Sequence, residues 1–145
     1  MRQMYETAAD LACEQEVASR ITAAWDCSLR KLPIRYHLDF AVTRGDKLVG
    51  FCEIKTRNYT MQQIDSMGGY LMSIGKWEAA RNLSYAADKP FVLAVKTTDG
   101  IWYSSVYGSQ FVADDVLVRG RTDRGDWQDI EPCVLLDCNR FKRLQ

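Results

Sequence analysis

The sequence holds a single histidine, His37, among 145 residues. That scarcity excludes the HExxH metalloproteases, Cys2His2 zinc fingers and most other centres that need two or more imidazoles. Cysteine occurs five times, at Cys13, Cys27, Cys52, Cys133 and Cys138, but never as a CxxC pair. An odd number without that spacing argues against a disulfide framework or a thiolate zinc site, and reads as small buried hydrophobes in a reducing compartment. Long hydrophobic runs are missing too. No stretch approaches the roughly 20 apolar residues that span a bilayer, and Met1 to Glu6 carry no apolar run. The expectation is a soluble cytoplasmic protein with no membrane partner. Net charge is also absent, with 19 Lys plus Arg against 19 Asp plus Glu. Any nucleic-acid partner must then be held by a local patch, not by a global field.

What is present is average for a globular protein, with 47% hydrophobic and 26% charged residues, and the length suits a single domain over residues 1–145. No repeat, linker or low-complexity segment divides it. Leu11, Val17, Ala18, Ile21 and Trp25 recur at helical spacing and predict an amphipathic helix over Ala8 to Trp25. Alternation from Ile34 to Val42 predicts a strand, Arg44-Gly45-Asp46 a turn, and Lys47 to Arg57 a second strand in an antiparallel hairpin. Residues 61–87 read as a second helix, with a break at Gly68-Gly69. Strands follow at 91–95 and 101–106, then a less regular stretch with strands near 111–118 and 133–136. Together these elements indicate an α/β (α+β) fold, a central mixed sheet flanked by helices.

The polar residues in this pattern are unevenly placed. Glu53 and Lys55 project from one strand face, Cys52 and Ile54 from the other. Antiparallel pairing brings Asp39 beside Glu53 across the hairpin. Glu14 falls near the middle of the apolar face of the first helix, where an ionised carboxylate is costly unless paired, metal-bound or aimed at a polar cavity. Three acids pushed together raise one another's pKa values, and a hard divalent cation, Mg²⁺ or Mn²⁺, resolves the conflict. Taken singly, Glu-x-Lys or a strand Asp marks only a solvated face. Their joint order, helix Glu, strand Asp, hairpin, Glu-x-Lys, helix, argues for a site.

With Glu14, Asp39 and the triplet Glu53-Ile54-Lys55 in that order, the chain resembles the PD-(D/E)xK nuclease superfamily. The stretch Glu53 to Thr60, followed by Tyr70 to Trp77, is similar to small nuclease-like proteins encoded by bacteriophages. Leu38 stands where the motif's proline would be. The resemblance covers about residues 8–106 and leaves about 107–145 as a C-terminal extension. It implies a restriction-endonuclease-like αβββαβ core and a metal-dependent deoxyribonuclease acting in the host cytoplasm. Asp39, Glu53, the Ile54 carbonyl and Glu14 would serve the metal, and Lys55 would orient water or offset charge on the phosphate. Endonuclease and exonuclease stay open, as do DNA and RNA.

Lys76, Arg57, Gln62, Gln63 and His37 are weaker nucleic-acid-binding candidates, each with a structural alternative. Trp77, Trp102 and Tyr70 could stack bases, though aromatics at such spacing more often build a core. Cys52 has no base beside it and reads as packing. Arg119, Arg121 and Arg124 interleave with Asp123, Asp126 and Asp129, the pattern of a salt-bridged loop. Between Arg30 and Arg57 seven basic residues face three acids, so the segment that holds the site is net +4 in a neutral chain. A DNA partner, with a homodimer or higher homo-oligomer to cut both strands, completes the expectation. The alternative is a catalytically silent nuclease-like nucleic-acid-binding or assembly protein.

Overall fold

The computed structural model describes residues 7–145, so the expectations for Met1 to Glu6 lie outside the described residues. Helix α1 (Ala8–Trp25) leads into strands β1 (Ser28–Lys31), β2 (Phe40–Arg44) and β3 (Lys47–Thr56). Helix α2 (Met61–Ser66), strand β4 (Tyr70–Ser73) and helix α3 (Ile74–Ala87) follow, then β5 (Phe91–Thr97), β6 (Gly100–Val106), β7 (Asp115–Arg119), β8 (Glu131–Leu136) and β9 (Lys142–Arg143). A six-stranded sheet has the order β1-β2-β3-β5-β6-β9, and a three-stranded sheet the order β4-β8-β7. The larger sheet is mixed, because β3 and β5 run parallel while its other neighbours are antiparallel. This is the mixed α+β architecture expected, including three strands between the first helix and the next.

Local chemistry sets the ends of α1. Thr7 and Asp10 form a reciprocal capping box, the Thr7 hydroxyl accepting the Asp10 N–H and the Asp10 carboxylate accepting the Thr7 N–H. Asp26, in the left-handed region, closes the helix. Val17, Ala18 and Ile21 are buried against Phe40, Val42, Cys52, Ile54 and Ala94 on one face of the large sheet. Leu11, expected on that face, is half exposed. The other face carries Phe51, Phe91, Leu93 and Val95, covered by Trp77 and Ala80 of α3 and by Tyr70, Met72, Val134 and Leu136 of the small sheet. Removing a side chain such as Phe91 or Leu93 from water contributes about 2 to 3 kcal/mol. Odd-numbered β3 residues therefore face α3 and β4, and even-numbered ones face α1.

Two expectations are corrected. The strand expected from Ile34 begins only at Phe40, and residues 34–36 form a 3-10 turn. Ile34 and Tyr36 are exposed, so no face was there for the alternation to bury. The strand missing from the sequence reading is β1: Lys31 pairs with Phe40, and the Leu32 N–H donates to the Asp39 carbonyl at 2.8 Å, closing the excursion between them. Residues 61–87 are likewise not one helix. Gly68 and Gly69 both take positive φ (104° and 134°), α2 stops, and the chain turns into β4, which pairs with β8.

Gly69 is held by contact as well as by φ: a Cβ there would lie 2.6 Å from the Leu136 carbonyl oxygen. Gly69→Ala is expected to cost about 2 kcal/mol or more in urea unfolding, whereas Gly68→Ala, with open space around it, bears only the cost of its φ.

Candidate active site

The site forms where β2 stops and β3 continues. The β2–β3 ladder reaches Phe40 opposite Cys52, leaving the next stretch of β3 with no strand on that side. Phe51 and Arg57 give their N–H groups to β5, at Pro90 and Lys96, so alternation turns the N–H and carbonyl of Ile54 toward the β2 side. Asp39 takes the vacant position. Its Oδ2 accepts the Ile54 N–H at 3.0 Å, and its own N–H donates to Glu53 Oε2 at 3.0 Å. The two carboxylates are thus fixed through each other's backbone.

Glu53 is fully buried. Its Oε1 lies 3.3 Å from the ammonium of Lys55 on β3 and 3.3 Å from that of Lys76 on α3. Neither lysine is aligned to donate, so Oε1 is buried without a hydrogen bond. Lys76 instead donates to the His37 carbonyl at 2.7 Å. The left-handed backbone of His37, φ 59°, places that carbonyl at the site rim, while the imidazole is exposed. Tyr70 of β4 stands beside the lysines and under the guanidinium of Arg57, 5.1 Å from its ring.

The electrostatics follow from burial. Desolvation pushes Glu53 above its ordinary value; Lys55, Lys76 and the Asp39 N–H oppose this, and Asp39's charge adds to it. Burial pulls Lys55 down, but Glu53, Tyr70 and Asp39 more than reverse it and leave the ammonium firmly charged. Burial raises Tyr70 and, more strongly, Cys52, which faces α1; the thiol has no route to act as a nucleophile.

Glu14 approaches from the opposite face of the sheet and meets the site through a residue the sequence reading passed over. Lys31 donates to Glu14 Oε1 at 2.5 Å and lies 3.6 Å from Asp39 Oδ1. Among the described residues, no group of three or more His, Cys, Asp or Glu side chains converges to hold a metal ion. The three acids expected to meet are therefore two, Asp39 and Glu53, with Glu14 joined to Asp39 by an ammonium. The pair still fits a divalent cation: Glu53 offers a buried, unbonded oxygen, Asp39 a second carboxylate, and Ile54 a carbonyl turned to their side. Gln63 is committed to capping α2, where it exchanges hydrogen bonds with Thr60, and Gln62 is exposed. Neither glutamine joins the acids.

The family model described as phage putative PDDEXK endonuclease matches residues 1–144. The chain belongs to this PDDEXK nuclease family. None of the curated proteins matches it. Family members of this kind carry their acids and lysine on a strand pair such as β2 and β3, which is where Asp39, Glu53 and Lys55 stand. No helix among the described residues is long and apolar enough to cross a membrane.

Sequence reasoning missed Lys31 and gave Lys76 and Tyr70 too little weight. The signal for Lys31 was its spacing: it lies two residues after Leu29, hence on the face of β1 that looks toward α1. Lys76 and Tyr70 depended on the turn at Gly68-Gly69, which a continuous helix concealed.

The raised Glu53 carboxyl carries a stability consequence. A folded-state value above the ordinary 4.5 means the fold favours the protonated acid, a contribution complete below the unfolded-state value and lost as pH rises through the folded one. In EDTA, Glu53→Gln is expected to melt at or above wild type near neutral pH, with the gap closing as the buffer is taken to about pH 4. A Gln variant that melts well below wild type only at neutral pH would show that the lysine pairing outweighs burial.

Proposed function

We propose that the chain is a divalent-metal-dependent endonuclease that hydrolyses DNA phosphodiester bonds at the Asp39–Glu53–Lys55 site. The observation that carries the reading is the buried Glu53 Oε1, flanked by two ammonium groups yet without a hydrogen bond. Such an atom suits a cation held with Asp39 and the Ile54 carbonyl, Mg²⁺ or Mn²⁺ by the hardness of these oxygens. When bound, that ion supplies Lewis-acid polarisation of the scissile phosphate and makes a nearby water more acidic.

The remaining work belongs to side chains of this chain. Lys55, charged and about a third exposed, presents its ammonium where negative charge develops on the phosphate and orients the attacking water. Lys76 holds the β1–β2 excursion through the His37 carbonyl and adds a second positive charge beside Glu53. Glu14 serves as an outer acid that acts through Lys31. Arg57, on the rim above Tyr70, faces the backbone of an incoming strand. The net +4 of residues 30–57 draws DNA to this edge of a neutral protein.

We read the chain as one nuclease domain working in the host cytoplasm. Support for the single domain comes from the pairing of β8 with β4 and of β9 with β6, which ties residues beyond 107 into both sheets. The five free cysteines suit a reducing compartment. The silent nucleic-acid-binding or assembly reading draws on one observation, the hold of Lys31 on Glu14 and Asp39, which already neutralises part of the acid pair.

The deciding experiment incubates supercoiled, linear and single-stranded DNA, and RNA, with the protein in Mg²⁺, Mn²⁺ or EDTA. Nicking of supercoiled DNA is expected in either metal, abolished by EDTA. Lys55→Ala is expected to lower the rate by about 100-fold or more and Lys76→Ala by about 10-fold. Cleavage that survives EDTA or Lys55→Ala removes the assigned site. Metal-independent DNA binding without cleavage establishes the silent reading.

A further inference from the structure

Strand β7 ends the three-stranded sheet, with β8 on one side and an open edge on the other. Its five residues read Asp115-Val116-Leu117-Val118-Arg119, an acid and a base placed symmetrically about a central leucine. Val116 is 51% and Val118 61% exposed. Such a strand edge, short but apolar, is a template for pairing.

The hydrogen bonds fix which backbone groups the edge offers. The Leu135 carbonyl accepts the Asp114 N–H, and the Asp137 N–H donates to the Asp114 carboxylate at 2.7 Å. Odd-numbered residues at and beyond β8 thus turn toward β7. In the register Asp115 opposite Leu135, Leu117 opposite Cys133 and Arg119 opposite Glu131, these pairs are the hydrogen-bonded ones. The N–H and carbonyl groups of Val116 and Val118 point outward. Two of them are covered only by flanking side chains: Asp115 Oδ1 accepts the Val116 N–H at 2.8 Å, and the Arg119 guanidinium donates to the Val118 carbonyl at 3.0 Å.

We propose that β7 is a homodimer interface, in which two copies of this chain pair their β7 strands antiparallel about a two-fold axis at Leu117. In that register Val116 lies opposite Val118 of the second copy and Val118 opposite its Val116, the residues whose backbone groups face the edge. All four of these valines then form hydrogen-bonded pairs. Asp115 falls opposite Arg119 of the second copy, twice over, so each carboxylate and guanidinium that now covers its own strand finds an opposite charge across the axis. The exposed valines make one apolar row on a common face. Pairing of this kind is isologous, and it closes at two copies. The two small sheets become one six-stranded sheet, β4-β8-β7 continued by its symmetry mate. No residue of β7 belongs to the proposed catalytic site, so this inference stands or falls separately from the hydrolytic one.

Sedimentation equilibrium or light scattering of the full chain between about 1 and 200 µM tests it, since an interface this small should associate in the micromolar range. Wild type is expected to move from 16.6 kDa toward twice that mass. Asp115→Arg and Arg119→Asp, each setting like charges across the axis, are expected to weaken the dimer by about tenfold or more. The double variant Asp115→Arg/Arg119→Asp, again self-complementary, is expected to restore it. Val118→Pro removes an outward N–H without touching the β8 ladder and should abolish association at unchanged melting temperature. A monomer at every concentration overturns the proposal, as does a dimer that ignores Val118→Pro or a double variant that fails to recover. If Val118→Pro does not fold, the three charge variants decide.

Discussion

The structure around the candidate site depends on one exchange, in which Asp39 gives its N–H to Glu53 and takes the N–H of Ile54. It substitutes for the two ladder bonds β2 would have made had it run one residue pair further. Ending β2 at Phe40 opens the sheet, and an open sheet interior would leave buried backbone groups unpaired. Asp39 satisfies them with a carboxylate in place of a strand. The same stroke brings a second acid to the buried Glu53, so the defect in the ladder and the concentration of negative charge have a single origin. Leu38, buried in the core cluster beneath, anchors the turn where the family motif has a proline.

That concentration is held by ammonium groups from three different elements. Lys55 comes from β3 itself, Lys76 from α3 and Lys31 from β1. Each keeps part of its side chain in water while its head reaches an acid, so the lysines lose less hydration than Glu53 does. The buried partner therefore bears most of the desolvation, which agrees with a Glu53 carboxyl raised and a Lys55 ammonium still charged. Catalytic centres commonly combine a desolvated acid with exposed cations in this way. The neutral overall composition conceals it, because the charges that matter are sorted by depth.

The sequence made β3 and its neighbours legible because their side chains obey strict alternation against two covered faces: Phe51, Glu53 and Lys55 toward α3, Cys52 and Ile54 toward α1. Glu53 and Lys55 could be assigned to one face, and Asp39 to its vicinity, from pattern alone. Alternation misled from Ile34 to Leu38, where exposed Ile34 and Tyr36 mimic a strand that has nothing to pack on. β1 was hidden for the opposite reason, since Ser28-Leu29-Arg30-Lys31 is too short and too polar to announce itself and exists through pairing with β2. Glu14 was correctly marked as a carboxylate in an apolar setting, but its partner lay on that unseen strand. The helix expected from 61 to 87 failed at glycines whose role is set by contact with Leu136, some 70 residues away along the chain.

The distant contact explains why residues beyond 107 matter to a site built from residues 31–76. β8 pairs with β4, and Glu131 at its start accepts the Ser73 hydroxyl at 2.6 Å. Ser73 is also the cap of α3, its oxygen accepting the Gly75 N–H. The start of α3 is therefore pinned by a side chain of β8, and Lys76, three residues after the cap, reaches His37 and Glu53 from that fixed point. Tyr70, at the other end of β4, is set by the same pairing, opposite Leu136. A strand that looks like an appendage in the sequence thus aims one lysine and one tyrosine at the acids. The catalytic lysine of β3 needs no such help, because its own strand is clamped between β2 and β5.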